Sequence, residues 1–476
     1  MKALSLKKIL LISLVIHLIA GIFSSGFHHF DEHFQIIEFL NYKLNQSPGS
    51  DLPWEFDEMI RPWFQIYIYL GVEKLVSFLD LNPLTLTTVF RIFTSVLGFL
   101  SLWSLAPMLK KIFKNHYQFL VANLVLHFSW FTLYLQARTS SESLGTTFLL
   151  FGLGLFFKEN FFNKPFLKFF FAGILLSFAY LCRTQMAVMV AGFWFWVLFF
   201  YRSEIERFPK SFIFFTFGIL WGILFGVWID FIGYGTWTFV PWNYVNANVF
   251  KGVLQRNGNH LPWYFYLTDS MLKGVPPLGV LYVLSLIYVW IKNPKHLITF
   301  ITIPLWFLHT MISHKELRYI FPLIPFASLA LAKVYFDLNL NFNKFLKFNY
   351  GLNIFLLIVV IFRPANTSHK FYEFMYAHPE IKEIVAIESS PYRMLDLPLN
   401  FYIPKNLVVK VEKHPSDIVF DGSSKYLFFH RAIEAQEFLK SKQCETVYST
   451  YPSFLYQYDF KNWLSRSRAW TLFKCH

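Results

Sequence analysis

The sequence predicts an all-α polytopic membrane protein that ends in a small α/β domain. Three observations predict it. The 476 residues are 55% hydrophobic and 21% aromatic but only 15% charged, against about 25% charged for a soluble domain. Apolar runs of helical length recur as far as residue 363. From Pro364 onward the chain turns to mixed charge and scattered prolines, with no spanning run. A formal charge of +14 in a soluble protein would suggest nucleic acid. Here many Lys and Arg fall in short loops between apolar runs, where the positive-inside bias explains them. No nucleic-acid-reading motif accompanies them, so nucleic acid is not expected as a partner.

Lys7 and Lys8 precede the first apolar run, from about Ile9 to Phe23. Basic residues before a short apolar core also describe a secretory signal. Cleavage near Ser24-Ser25-Gly26 would strip the anchor just ahead of a His- and acid-rich cluster, so a retained span is expected. Residues 25–83 then form a long polar-aromatic loop. Within it, 32–46 and 58–80 carry apolar residues at helical spacing, for example Ile60, Phe64, Tyr67 and Leu70, and read as helices lying on the membrane face. Trp54 and Trp63 suit the headgroup level.

Further runs at roughly 85–108, 116–136, 141–157, 166–182, 185–201, 211–231, 274–291, 296–312, 319–336 and 350–363 bring the count to about eleven transmembrane helices, several of them shorter than the ~20 residues of a straight crossing. With a cytoplasmic N-terminus, five basic clusters fall inside: Lys110, Lys111 and Lys114; Lys158 and Lys164; Arg202, Arg207 and Lys210; Lys292 and Lys295; Lys344 and Lys347. That agreement sets the topology. It leaves 25–83, 137–140, 183–184, 232–273, 313–318 and the tail on the other side. Two domains follow: 1–363 in the membrane, with 25–83 as its first outward loop, and 364–476 outside it. In the tail, 407–409 and 425–429 read as strands and Ala432 to Lys440 as a helix. Cys444 and Cys475 share that tail and can pair in an oxidising compartment, whereas Cys182 reads as packing. Asn366-Thr367-Ser368 fits a glycan acceptor, a tripeptide that also arises by chance.

The residues that suggest chemistry begin with Phe27-His28-His29-Phe30-Asp31-Glu32-His33-Phe34-Gln35. On a helix, His28, Asp31, Glu32 and Gln35 share one face, and ionisable groups held at a membrane boundary are costly unless they serve a site. The plain alternative is a wetted helix cap. His29 and His33, four apart, also have a metal-ligand spacing. Histidines clustered at an interface are more often unmetallated, so neither a metal nor a cofactor is expected. On the outward side, Arg138, Arg183, Lys315 and Arg318 need a reason other than the positive-inside bias. Each alone reads as snorkelling. Together they place cations at one membrane face and suit a lipid-linked phosphate, which Arg grips in bidentate fashion and Lys as a point charge. The loop Asp230 to Tyr244, with Tyr234 and Asn243, and the stretch Gly258 to Tyr266, with Trp263, combine turn glycines, aromatics and amide or imidazole groups that suit a sugar or lipid head. An aromatic interfacial belt is the alternative there.

Read in order, these segments resemble a known family. Phe30-Asp31-Glu32-His33-Phe34-Gln35 resembles the His-Pro-Asp-Glu-x-Phe-Gln signature of glycosyltransferase family 22, the polyprenol-dependent mannosyltransferases that include the GPI mannosyltransferases and the α-1,2- and α-1,6-mannosyltransferases of N-glycan precursor assembly. Trp54-Glu55-Phe56 with Ile60-Arg61-Pro62 resembles its Thr-Trp-Glu-Tyr…Leu-Arg-Ser segment, and Arg138-Thr139-Ser140-Ser141-Glu142-Ser143 its Arg-Thr-x-Ser-Asn stretch. Asp230…Tyr234-Gly235, followed by Pro241 and Asn243, is similar to Asp-x-x-x-Tyr-Gly. Pro262-Trp263-Tyr264 is similar to Pro-Trp-x-x-Tyr. The most specific match is His314-Lys315-Glu316-Leu317-Arg318-Tyr319-Ile320-Phe321-Pro322, against His-Lys-Glu-x-Arg-Phe-x-x-Pro. The resemblance spans roughly residues 10 to 335. It departs at Phe30, where the family has Pro, and at Pro62, where the family has Ser.

The resemblance implies a GT-C membrane enzyme that takes mannose from a polyprenyl- or dolichyl-phosphate donor and passes it, with inversion, to a lipid-linked glycan acceptor, giving an α-glycoside. It places the base at Asp31, with Glu32 as second choice or as a group orienting the acceptor. Arg138, Lys315 and Arg318 are the candidates for the donor phosphate, joined by Arg183 and His314, each of which has an ordinary structural alternative. His29, Gln35, Trp54, Glu55, Tyr234, Asn243 and Trp263 are the candidates for acceptor and sugar. Relatives of this kind sit in the endoplasmic reticulum membrane, or for a chain this short in a bacterial inner membrane, with the site on the lumenal or periplasmic side. A transporter or flippase of lipid-linked sugars is the competing class. It predicts polar residues near mid-membrane and symmetry between halves, and neither is evident. A purely structural subunit leaves the Asp31-Glu32 pair unexplained.

Overall fold

The computed structural model describes residues 5–159, 161–162, 164–253, 260–340, 342–418, 420, 424–431, 444–467 and 469–475. Gly258, Asn259 and the helix expected over Ala432–Lys440 lie outside them. The chain divides into two compact units. One comprises Met1–Ser24, Trp54–Leu79 and Thr87–Arg363, and the other Ser25–Pro53, Asp80–Leu86 and Pro364–His476.

In the first unit every apolar run anticipated from the sequence is helical. The helices are Leu6–Phe23, Pro83–Ser104 continuing as Ala106–Ile112, His116–His127 with Trp130–Gln136, Ser141–Phe157, Pro165–Cys182, Met186–Trp196, Phe208–Tyr234, Leu278–Lys292, Leu297–Met311, Ile324–Asp337 and Phe342–Phe362. Among the described residues, five helical stretches are long and apolar enough to cross a bilayer, or six if one bent pair counts as a single span. Five more apolar helices run only 10–17 residues.

Small residues decide how closely these helices pack. Phe208–Tyr234 buries Gly218, Gly222, Gly226 and Gly233 while Phe217, Leu220, Trp221, Leu224 and Trp228 stay exposed, as lipid-facing side chains would. A Cβ at Gly218 would lie 2.0 Å from the Phe170 carbonyl oxygen, and one at Gly222 would lie 1.7 Å from Ser177 Oγ. The two backbones therefore meet along a glycine stripe, the usual route to helix association in lipid.

The bent pair, His116–His127 and Trp130–Gln136, turns by 55°. A break at that depth leaves backbone groups without water to satisfy them. The Trp130 N–H donates to Asn353 Oδ1 at 3.0 Å, so an amide from another helix replaces the lost intrahelical bond. The first helix is tied to the same break by Ser13 Oγ to His127 Nδ1 (2.9 Å) and His17 Nε2 to Gln136 Oε1 (3.0 Å).

Both helices expected in the first loop form, with altered limits. The second is Phe64–Val76 rather than 58–80, because Pro62 keeps Arg61 out of the helical region. The Trp63 N–H, just ahead of this helix, is taken by Asp230 Oδ1 at 2.8 Å. The first runs through Phe30–Glu32, a π-turn at His33–Ile37, and Glu38–Lys43. His29 caps it, its Nδ1 accepting the Asp31 N–H at 3.2 Å. His28 therefore precedes the helix and does not share the face expected for it.

The second unit is built on a five-stranded sheet. Its strands are β1 (Glu383–Ile387), β4 (Val408–Glu412), β5 (Lys425–Phe429), β6 (Cys444–Ser449) and β7 (Thr471–Cys475), in the order β4-β1-β5-β7-β6. The pairs β1/β4 and β1/β5 are parallel, while β7 runs antiparallel to both β5 and β6. Arg393–Met394 (β2) and Leu397–Pro398 (β3) form a separate short ladder. One face of the large sheet buries Val385, Ile387, Leu427, Phe429 and Phe473. Against this unit's core, Phe371 of the helix Ser368–Ala377 packs on Phe428 and Trp470, with ring centroids 4.9 and 5.5 Å away. Cys444 and Cys475 oppose each other across β6 and β7 and form a disulfide. The Asn366 amide is already engaged: it accepts from the Phe27 N–H and donates to Ser368 Oγ at 2.7 Å.

Candidate active site

In the helical unit, Arg183 and Arg318, singled out from separate loops, meet around acids. Ser140 caps the helix Ser141–Phe157, its hydroxyl accepting the Ser143 N–H, and this sets Glu142 in the first turn. Glu142 Oε1 receives Arg183 at 3.1 Å and Arg318 at 3.5 Å. Arg183 also donates to Gln185 Oε1 (2.7 Å) and Ser141 Oγ (3.3 Å). Arg318 donates to Glu316 as well. That carboxylate also pairs with His314 Nε2 at 3.0 Å and accepts the Tyr319 hydroxyl at 3.2 Å. Both guanidinium groups lie over the Tyr319 ring, at 5.4 and 5.3 Å from its centroid.

Lys315 is buried, its ammonium donating to the carbonyls of Leu261 (3.0 Å) and Ile312. Burial holds it below the ordinary lysine range. A short antiparallel bridge between His260 and His314 fixes this corner. Arg138 is 1% exposed. It donates to Ser24 Oγ at 2.6 Å and stacks over Tyr134 at 4.5 Å. Arg183 and Arg318 share the Glu142 carboxylate, and Lys315 lies three residues before Arg318 on carbonyl partners, so this buried corner gathers cationic groups where charge acts strongly. An anionic phosphate fits such a place.

Other predicted residues hold the loop 54–63 to the end of the long helix Phe208–Tyr234. The Tyr234 hydroxyl donates to the Arg61 carbonyl (2.8 Å) and accepts the Arg61 N–H (3.3 Å). Asn243 donates to the Met59 carbonyl at 3.1 Å and to Thr238 Oγ1 at 2.7 Å. Glu55 pairs with Arg61 at 3.2 Å. Gly233 leaves room for the buried Trp63 ring, since a Cβ there would lie 2.0 Å from it. Trp54 and Trp263 are exposed.

The second unit carries Asp31, Glu32, His29 and Gln35. Glu32 is 3% exposed and turns back to accept the His28 N–H at 2.8 Å, a capping task. The Asp31 side chain keeps 10% exposure and stands 3.6 Å from His29 Nδ1. Of the two neighbouring acids, Glu32 thus bonds backbone, while Asp31 lies beside the capping imidazole of His29. Gln35 is buried in the π-turn. Among the described residues, no group of three or more His, Cys, Asp or Glu side chains could hold a metal ion.

Glu142, Glu316 and Asp230 were not among the site residues expected from the sequence. The signal for Glu142 was its place four residues after Arg138 at a helix start, and for Glu316 its place between Lys315 and Arg318. For Asp230 it was an acid at the foot of an apolar helix.

A family model described as the Alg9-like mannosyltransferase family matches residues 8–394. The chain belongs to that family. The match takes in the acid-bearing helix and both Glu142-linked arginines, and it continues past residue 335, where the legible motifs stop. GPI alpha-1,2-mannosyltransferase 3 of Bos taurus is 24% identical over 62% of this chain and 53% of its own length. GPI mannosyltransferase 3 of Debaryomyces hansenii is 24% identical over 75% of this chain and 64% of its own. The chain thus spans about half the length of the curated relatives it matches. The crystal structure of ArnT from Cupriavidus metallidurans in the apo state aligns with a TM-score of 0.54 at 10% identity, covering 98% of this chain and 97% of that one. This Alg9-like chain therefore shares its fold with that structure.

Proposed function

We propose that this Alg9-like protein transfers mannose from a polyprenyl- or dolichyl-phosphate donor to a lipid-linked glycan, with inversion at the anomeric carbon. The observation that carries the reading is the buried pair of arginines sharing Glu142, in a family of mannosyltransferases. Inverting transfer needs a base at the acceptor hydroxyl and charge stabilisation at the departing phosphate. Asp31 takes the acceptor proton. The freed oxygen attacks C1 from the face opposite the phosphate, the C1–O bond to phosphate breaks, and the polyprenyl phosphate leaves as an anion. Arg318, Arg183, Lys315 and Arg138 meet that anion, with His314 donating through its ring. Tyr234, Asn243 and Glu55 serve by shaping the loop 54–63, and Trp54 and Trp263 offer exposed rings to sugar or lipid.

The expected topology places five basic loops on one side, and a disulfide in the tail agrees with an oxidising compartment. Both support a site on the lumenal or periplasmic side. The names of the relatives favour an α-1,2 linkage on a lipid-anchored glycan. A transporter role has no counterpart among the relatives. The test is incubation of membranes with labelled polyprenyl-phosphate-mannose and a mannolipid acceptor, followed by linkage analysis of the product. A labelled α-mannoside supports the reading; movement of intact donor across the vesicle without transfer refutes it.

A further inference from the structure

The helix that carries Asp31 holds three buried polar groups that the chemistry above does not use: His33 (0% exposed), Glu38 (1%) and Asn41 (1%). They converge on one carboxylate. Glu38 Oε1 bonds His33 Nε2 at 2.7 Å and accepts the Phe401 N–H at 3.0 Å. Its Oε2 accepts from Asn41 Nδ2 at 3.3 Å. Phe401 belongs to the turn Asn400–Tyr402, more than three hundred and fifty residues away in sequence but in the same compact unit.

The next residue continues the contact. Tyr402 stacks on the His33 ring (5.1 Å, 18°), Tyr372 stacks on Tyr402 (5.2 Å, 17°), and Tyr392 on Tyr372 (5.1 Å, 21°). The Tyr372 hydroxyl closes the column on the Pro391 carbonyl at 2.9 Å. Asn400 also donates to Asp51 Oδ2 at 2.8 Å. Asp31 lies two positions before His33, and the π-turn that begins at His33 adds an irregularity of the kind found at functional sites. A buried carboxylate costs desolvation that an apolar side chain would avoid. Fully bonded, it fixes one orientation.

We propose that Glu38 is a positioning residue. Through His33 and the Phe401 N–H it locks the rotation of the Asp31 helix onto the C-terminal domain, so that this domain sets the aim of the base. The inference rests on Asp31 being that base. Small misplacement of a reacting group costs about 10²-fold, and the effect falls on turnover rather than on binding of the donor phosphate.

The experiment compares Glu38→Ala and Glu38→Gln in detergent-purified full-length protein, with kcat normalised to the monodisperse fraction and the donor as polyprenyl-phosphate-mannose. Glu38→Ala is expected to lower kcat by about 10- to 100-fold with donor KM within about twofold. Glu38→Gln keeps an acceptor oxygen for His33 and Phe401 and is expected to restore kcat to within about threefold of wild type. Wild-type kcat in folded Glu38→Ala overturns the proposal, and so does a rise in donor KM at unchanged kcat. If Glu38→Ala does not fold, Tyr402→Leu removes the stacking on His33 and is read the same way. Asp31→Asn is run alongside. Full activity there sinks the assignment of the base itself, whereas an inactive Asp31→Asn beside a normal Glu38→Ala sinks only the positioning role.

Discussion

At the scale of single residues, the chemistry rests on a division of labour between acids of the same charge. Glu32 caps the start of its own helix and Glu142 holds two guanidinium groups, while Asp31 is the base proposed for the transfer. Glu142→Ala should therefore harm stability before it harms chemistry. Removing one partner of a buried ion pair costs about 3–5 kcal/mol, and thermal unfolding in detergent should show the loss as a clear drop in Tm. Lys315 adds a pH dependence. Its folded value lies below the ordinary 10.5, so between the two the unfolded chain holds more protons and stability from this group rises with pH. Donor binding runs the other way, because the phosphate needs the ammonium. Donor KM should climb on the alkaline side earlier than an ordinary lysine predicts, and Lys315→Arg should flatten that climb. The basic residues were conspicuous in the sequence because, on the expected topology, cations on the outward side are out of place. Glu142 and Glu316 were not, since an acid beside an arginine on the page does not reveal which arginine it will meet in space.

Among the helices and loops, legibility followed periodicity. Apolar runs marked the long helices of the first unit, because a lipid-facing segment needs a long run of one kind of side chain, but not the short helices Val240–Val245 and Phe265–Lys273, which fall in a stretch expected as loop. Their lengths were less legible: the break at Phe128–Ser129 depends on Asn353, far away in sequence. The expected helix over 58–80 starts late because Pro62 limits its neighbour. The face proposed for His28 failed because His29, not an earlier residue, caps the helix. Tyr234 and Asn243 looked like sugar ligands by composition, and their partners turn out to be backbone carbonyls of the loop 54–63. Glycines of Phe208–Tyr234 give a sharp test at this scale. Gly222→Leu places carbon where Ser177 Oγ lies and should exceed the roughly 1–3 kcal/mol usual for overpacking, seen as loss of the monodisperse peak on size exclusion. Gly71→Ala, where a Cβ meets nothing within 4 Å, should leave the peak unchanged.

For the molecule as a whole, the chain folds as two compact units; the proposed base lies in the unit that includes the tail, and the arginines that share Glu142 lie in the helical unit. The proposed topology puts the tail outside the cytoplasm, and the Cys444–Cys475 disulfide makes that testable. Thiol-reactive mass tags should miss both cysteines in intact membranes until a reductant is added, and Cys444→Ser should expose Cys475 and weaken the sheet by about 2–4 kcal/mol. The assignment of glycosyl transfer is tested most directly by Asp31→Asn. Membranes holding equal amounts of wild type and variant, given labelled polyprenyl-phosphate-mannose, should differ by about 10²–10⁴-fold in mannose transferred. Equal transfer by the two would contradict a base at residue 31.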